Sequence, residues 1–155
     1  MDILLINQQL LDETSLKAVS NIRLRMNYNI HQDGEDPVNR MLNALEPGTY
    51  LRPHRHWTPP KAESYIILRG ELDVIVFDEN GNWLQAITLN PEMGHYGVDI
   101  PAGVWHSMIV KRSGTVIYEI KEGPFSPIAP EDVAPWSPET DDLVGINTFF
   151  AHLCQ

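Results

Sequence analysis

Cysteine is almost missing from this chain: Cys154, beside the end, is the one thiol among 155 residues. No internal disulfide can form, which agrees with a reducing compartment. No apolar run is long enough to span a bilayer, and no basic start leads into an apolar stretch. Both absences predict a cytoplasmic soluble protein without a membrane partner. Positive charge is also scarce, with 11 Lys and Arg against 21 Asp and Glu and a formal charge of −10. That balance opposes phosphate backbones and argues against nucleic acid as a partner. Residues 124–155 contain no Lys or Arg, while five of the twelve prolines fall there. Internal repeats and low-complexity segments are absent.

What is present suffices for one core. A hydrophobic share of 43% over 155 residues predicts a single domain across 1–155. Leu10, Leu11, Leu16 and Val19 recur at helical intervals, and Asn7 or Asp12 can cap a start, so a short N-terminal helix over 8–20 is expected on the outside. From 22 to 30 the pattern alternates, with Arg23, Arg25 and Asn27 on one face and Leu24, Met26 and Tyr28 on the other. Strands are further predicted over 38–45, 64–68, 72–77, 83–89, 98–100, 105–110 and 115–121, with Asn80-Gly81 as a hairpin signal. Many short strands at near-regular spacing make an all-β barrel or sandwich over about 22–121. The extension 124–155 reads as proline-rich surface chain ending in a helix, on which Leu143, Ile146, Phe149, Phe150 and Leu153 form one stripe packed on the barrel or, as the alternative, on another subunit.

The chemistry gathers in one stretch. In Gly48-Thr49-Tyr50-Leu51-Arg52-Pro53-His54-Arg55-His56 the alternation of an extended chain turns His54 and His56 one way and Arg55 the other. Glu63 follows the turn Trp57-Thr58-Pro59-Pro60-Lys61, and Pro101-Ala102-Gly103-Val104-Trp105-His106 is a tight turn that opens a strand with a third histidine. Three imidazoles and a carboxylate suit one divalent transition metal ion, Fe, Mn, Zn, Ni or Co, while the lack of thiolate argues against a zinc-finger-like site. His31, His95 and His152 lie in loops or the tail and read as surface residues. Arg23, Arg25, Arg40 and Arg52 are candidate anion-binding groups at the barrel mouth. Tyr50 and Tyr65 are candidate proton donors, with Tyr118 beside them, although buried tyrosines more commonly shape a core.

The spacing of Gly48, His54, His56, Glu63 and Gly70, followed by Pro101 to His106, resembles the two motifs of the cupins over about residues 40–121. The resemblance implies a small antiparallel jelly-roll β-barrel in which His54, His56, Glu63 and His106 are the metal ligands. Two features depart from the family pattern: the gap between His56 and Glu63 is longer than usual, and Val110 stands where a polar residue is common. Glu71 and Glu119 are the alternative carboxylates. With Arg23 to Asn29 and Arg40 to Gly48 included, the chain resembles the WbuC-type cupin metalloproteins, associated with bacterial surface-polysaccharide gene clusters. The resemblance and the ligand set together imply a metal-dependent enzyme, an isomerase, epimerase or Fe(II) dioxygenase, acting on a small sugar-like or anionic molecule. A non-catalytic ligand-binding cupin is the alternative, and a homodimer is the expected assembly.

Overall fold

The computed structural model describes residues 3–153, so Cys154 lies outside them. Helix α1, Gln8–Val19, begins where Asn7 Oδ1 accepts the Leu10 N–H at 3.0 Å. This cap sets the phase of the helix, and the buried stripe is Leu11, Thr14, Ser15 and Ala18. Leu16 and Val19, expected on that stripe, face outward instead. Thr14 satisfies its hydroxyl on the Leu10 carbonyl at 2.7 Å and Ser15 accepts from Arg69 at 2.9 Å, so small polar side chains sit on the packed face without orphaned atoms. Leu11 and Ala18 cover Leu42, Ala44 and Val116. Burying a leucine in this way contributes about 1.5–3 kcal/mol.

Eight antiparallel strands follow: β1 Arg25–Asn29, β2 Val38–Leu45, β3 Glu63–Arg69, β4 Leu72–Phe77, β5 Trp83–Leu89, β6 Gly97–Ile100, β7 Trp105–Val110 and β8 Thr115–Glu122. They form a five-stranded sheet in the order β1-β2-β8-β3-β6 and a three-stranded sheet in the order β5-β4-β7. Strand β1 is shorter than the alternation suggested. Leu24 adopts φ 55° and donates its N–H to Asn21 O at 2.9 Å, a tight turn that occupies the expected start of the strand.

Alternation divides each strand between two environments. On β2, Leu42 and Ala44 pack under α1, while Met41, Asn43 and Leu45 face a cavity between the sheets. On β4, Leu72 and Val74 join the inner core, while Ile75 and Phe77 face outward. That outer face is covered by the C-terminal extension. Ala134 joins Ile75, Phe77 and Trp105, and Phe149 and Leu153 of helix α2, Leu143–Leu153, pack against this cluster. The helix therefore lies on its own sheet as expected, although Leu143 is exposed. Among the described residues no helix is long and apolar enough to cross a membrane.

Gly70, between β3 and β4, has φ +90°, and a Cβ there would stand 2.2 Å from Thr115 Oγ1 and 2.6 Å from Thr115 Cα. The β8 backbone occupies the space that a side chain would need. Gly70→Ala is expected to destabilise the protein by roughly 2–3 kcal/mol, measured as a lower urea midpoint with an unchanged slope.

Candidate metal centre

The four residues converge from three directions. His106 is the second residue of β7, placed by the turn in which Val104 N–H reaches Pro101 O at 3.4 Å. His54 lies in an extended segment and exchanges backbone hydrogen bonds with His106 at 3.1 and 2.9 Å. Glu63 opens β3, and its neighbour across the sheet on β8 is Lys121. His56 is tied to the second motif, since its carbonyl accepts the Gly103 N–H at 3.1 Å. Gly103, at φ +85°, leaves no room for a Cβ beside the Trp57 ring. One ligand atom from each of His54, His56, Glu63 and His106 lies within 4.8 Å of the others.

The imidazoles are oriented by their own backbone. Nδ1 of His54 is 2.9 Å from Arg52 O, and Nδ1 of His106 is 2.9 Å from Val104 O. A carbonyl only accepts, so each ring carries a proton on Nδ1 and, when neutral, turns a bare Nε2 to the cavity. Glu63 Oε1 stands 2.7 Å from His106 Nε2 and 3.4 Å from His56 Nε2. Two bare acceptors facing each other repel unless a cation lies between them. Both His56 Nε2 and Glu63 Oε1 are buried and lack hydrogen-bond partners. This donor set fits a divalent first-row ion, with the two Nδ1 contacts as the outer shell that holds ligand rings in place.

Electrostatics agree. Burial, then the neighbouring His106, brings the His54 pKa down to about 3, so this ring stays neutral. Burial opposes charge on His106, but the Glu63 carboxylate outweighs it and raises the pKa. Glu63 is the converse: burial disfavours its charge, yet His106 and His56 hold its carboxyl well below the usual range.

The arrangement opens on a cavity of about 210 Å³, lined beyond the ligands by Arg25, Asn43, Thr49, Tyr65, Glu119 and Lys121 among others. Tyr65 is 2% exposed, and its hydroxyl lies 3.3 Å from His106 Nε2. Burial, then Glu63 and Glu119, push its pKa well up, so it keeps its proton. Arg25 donates to Tyr50 O at 2.7 Å and Thr49 Oγ1 at 3.3 Å. No acidic side chain pairs with it among the described residues. Burial, then Arg23, lower its pKa, as befits a cation without a counterion.

The structure brings Arg25 and Tyr65 to the ligands and leaves the other candidates outside the cavity lining. Tyr50 points to the C-terminal extension, where its hydroxyl donates to Pro138 O at 2.9 Å and its ring meets Phe150 edge-on. Arg52 donates to Ser137 Oγ at 3.0 Å and pairs with Glu139 at 2.5 Å. Leu51 and His54 both line the cavity, so the alternation slips at Pro53 and Arg52 turns away from His54. Arg40 shares the outer face of β2 with Leu42, and Arg23 precedes β1. Glu71 accepts from Asn90 and pairs with Arg112, outside the site, whereas Glu119 lines the cavity.

Sequence reasoning missed Asp132. Its carboxylate accepts the N–H groups of Trp57 and Thr58 at 2.9 and 2.7 Å and the Arg55 Nε at 3.1 Å. Arg55 N–H donates to Asp132 O at 2.9 Å, and His54 bridges to Val133. The extension thus acts as a strand that braces the two-histidine segment from behind. Lys61 was missed as well. Buried at 6% exposure, it donates to Pro124 O and Ser126 Oγ, pinning the strap whose Phe125 and Ile128 rim the cavity.

Two packed antiparallel sheets with this cavity between them define a cupin jelly-roll fold. Similar solved structures include a cupin superfamily protein from Desulfitobacterium hafniense, with a TM-score of 0.50 and 20% identity over 63% of this chain and 76% of that one. KdgF from Halomonas sp. is similar at a TM-score of 0.51 and 12% identity, over 64% of this chain and 78% of that one. A protein from Shewanella oneidensis is similar at 0.54 and 10%, over 68% and 72%. Residues 6–89 match the family described as "Domain of unknown function (DUF6016)", and the chain belongs to that family. No curated protein matches it.

Proposed function

We propose that this protein is a metal-dependent enzyme acting on a small polar or anionic molecule. The carrying observation is the buried pair of unpartnered acceptors, His56 Nε2 and Glu63 Oε1, clustered with two further histidines beside a cavity that also holds a guanidinium with no acidic side chain paired to it among the described residues. His54, His56, Glu63 and His106 would hold one ion of Fe, Mn, Zn, Ni or Co. When bound, such an ion supplies Lewis acidity toward a carbonyl or hydroxyl oxygen. Glu63 and Glu119 offset Arg25 and Lys121, so the divalent charge leaves the cavity positive and favours an anion.

The chain's own residues then have distinct tasks. Arg25 orients the anionic group, its remaining N–H donors being free of protein acids. Tyr65, held protonated, donates a hydrogen bond to a ligand oxygen near the histidines and can hand over a proton there. Phe125 and Ile128 narrow the entrance and exclude water. An isomerisation or epimerisation uses these parts directly. Fe(II)-dependent dioxygenation is a second chemistry that the same ligand set permits, and a binding or sensing role without turnover is the alternative. A WbuC-type affiliation, a part in surface-polysaccharide biosynthesis, a cytoplasmic location, a single domain and a homodimer without membrane or nucleic-acid partners complete the proposal.

Arg25→Ala is expected to weaken binding of a small carboxylate by about 10–100-fold while the metal content stays at the wild-type level. Titration of the cobalt-substituted protein followed by its visible spectrum measures both quantities. Unchanged carboxylate affinity would remove Arg25 from the site. A turnover screen on nucleotide sugars and sugar acids tests the enzymatic reading.

A further inference from the structure

The geometry points to a hydroxyl-reading subsite on the wall of this cavity, built around Asn43, and assigns the ligand as a short carboxylate that bears a hydroxyl group. This rests on the reading of the cavity as a metal-dependent anion site and adds the chemical class of the ligand.

Asn43 is 8% exposed and lines the cavity. Its Nδ2 donates to Glu119 Oε2 at 2.5 Å, and Lys121 Nζ meets the other oxygen, Oε1, at 3.2 Å. Burial raises the Glu119 pKa, while Lys121 and Asn43 favour its charged form; the charged carboxylate accepts through both oxygens, and the amide then stands with nitrogen toward it and oxygen away from it. That oxygen, Asn43 Oδ1, is buried with no hydrogen-bond partner. A buried acceptor without a donor is unfavourable, so the site is completed by a ligand that brings one.

The surroundings select the donor. An ammonium group is disfavoured beside Arg25, Lys121 and a metal ion. A hydroxyl is a neutral donor that an anion can carry. Its distance from the carboxylate is limited by the strand: Asn27 pairs with Asn43 across the sheet and Arg25 with Leu45. Two residues along a strand span roughly 6–7 Å, the length of a four-carbon acid. A cavity of about 210 Å³ is also below the roughly 300–1,000 Å³ of pockets for drug-sized ligands. Met41, Leu45 and Met108 supply apolar wall for the carbon chain.

The test compares butyrate with its 2,3,4-trihydroxy derivatives, erythronate and threonate, on the cobalt-loaded protein, with calorimetry for affinity and the visible spectrum for metal retention. The expected result is at least tenfold tighter binding of one trihydroxy acid than of butyrate by wild type. In Asn43→Leu that advantage should shrink to less than twofold, with cobalt retained. Asn43→Ser, whose hydroxyl can still accept, should restore part of it and serves where the leucine variant does not fold. Equal binding of butyrate and both trihydroxy acids by wild type overturns the inference, as does an advantage that survives in the folded variants. Both outcomes leave the anion site intact if butyrate binding still depends on Arg25. Binding of none of these acids by cobalt-loaded protein overturns the anion-site reading and the inference with it.

Discussion

His106→Ala is expected to abolish metal retention, taking the purified protein from about one first-row ion per chain to nearly none. Outer-shell changes at metal sites typically cost 10–100-fold in affinity, and removal of a ligand should exceed that. His106 is 1% exposed and stands 2.7 Å from an equally buried carboxylate. Its loss takes away one donor and leaves Glu63 with His56 alone, at 3.4 Å. Breaking a buried pair from one side costs about 3–5 kcal/mol, so the metal-free variant should also unfold earlier than metal-free wild type. His54→Ala should lose the ion with a smaller stability penalty, because the neutral His54 ring has no carboxylate within ion-pair distance. His95→Ala is the control, since that ring is exposed and outside the cluster, and it should change neither quantity.

The second large effect is expected far from the site in sequence. Asp132→Ala removes a carboxylate that is 2% exposed and accepts three hydrogen bonds from the 55–58 segment. Two backbone donors and one guanidinium would lose their partner inside the fold, so a loss of about 3–5 kcal/mol follows. For a chain of this size that is a fall of roughly 10–15 °C in Tm. The effect depends on pH with a definite sign. Burial works against the Asp132 charge, but the Trp57 and Thr58 N–H groups and Arg55 hold its carboxyl below the ordinary value. A depressed folded-state pKa gives stabilisation that is complete above the unfolded carboxyl pKa of about 3.9 and is lost as pH falls through the folded one. The difference in Tm between wild type and Asp132→Ala should therefore be full at pH 7 and shrink below about pH 4. A difference that grows in acid would contradict the role assigned to this carboxylate. Metal affinity should fall in the variant as well, because the braced segment carries His54 and His56.

What the residues disclose in advance is what local rules govern. Four strands, β2, β4, β5 and β7, and the start of β8 agree with the expected bounds to the residue, because turn glycines and β-branched runs mark them within a few positions. His54, His56 and His106 converge because two short motifs carry the extended chain and the tight turn that aim them. The longer gap before Glu63 does no harm: the turn over 57–60 closes with a Trp57 to Pro60 bridge and absorbs the extra length. The parts that escaped depend on partners distant in the chain. Arg52 and Tyr50 look like cavity residues until Ser137, Glu139 and Pro138 claim them, 85 to 88 positions later. Asp132 is one acid in a proline-rich tail, and nothing near it signals a tie to Trp57 and Thr58. Asn43 meets Glu119 across 76 residues, and only their neighbouring strands β2 and β8 make the contact visible. For α1, repeated leucines suggested the packed face, whereas the cap at Asn7 and close approach to the sheet favoured Ala18 and two hydroxyl side chains.

The central claim is that one cation joins His54, His56, Glu63 and His106. Anomalous diffraction from crystals of the cobalt- or zinc-loaded protein tests it most directly. The account predicts one peak per chain, about 2.0–2.2 Å from the three Nε2 atoms and from a Glu63 oxygen. A folded protein that takes up no ion under these conditions, or an ion bound elsewhere while the four side chains keep their metal-free contacts, would contradict it.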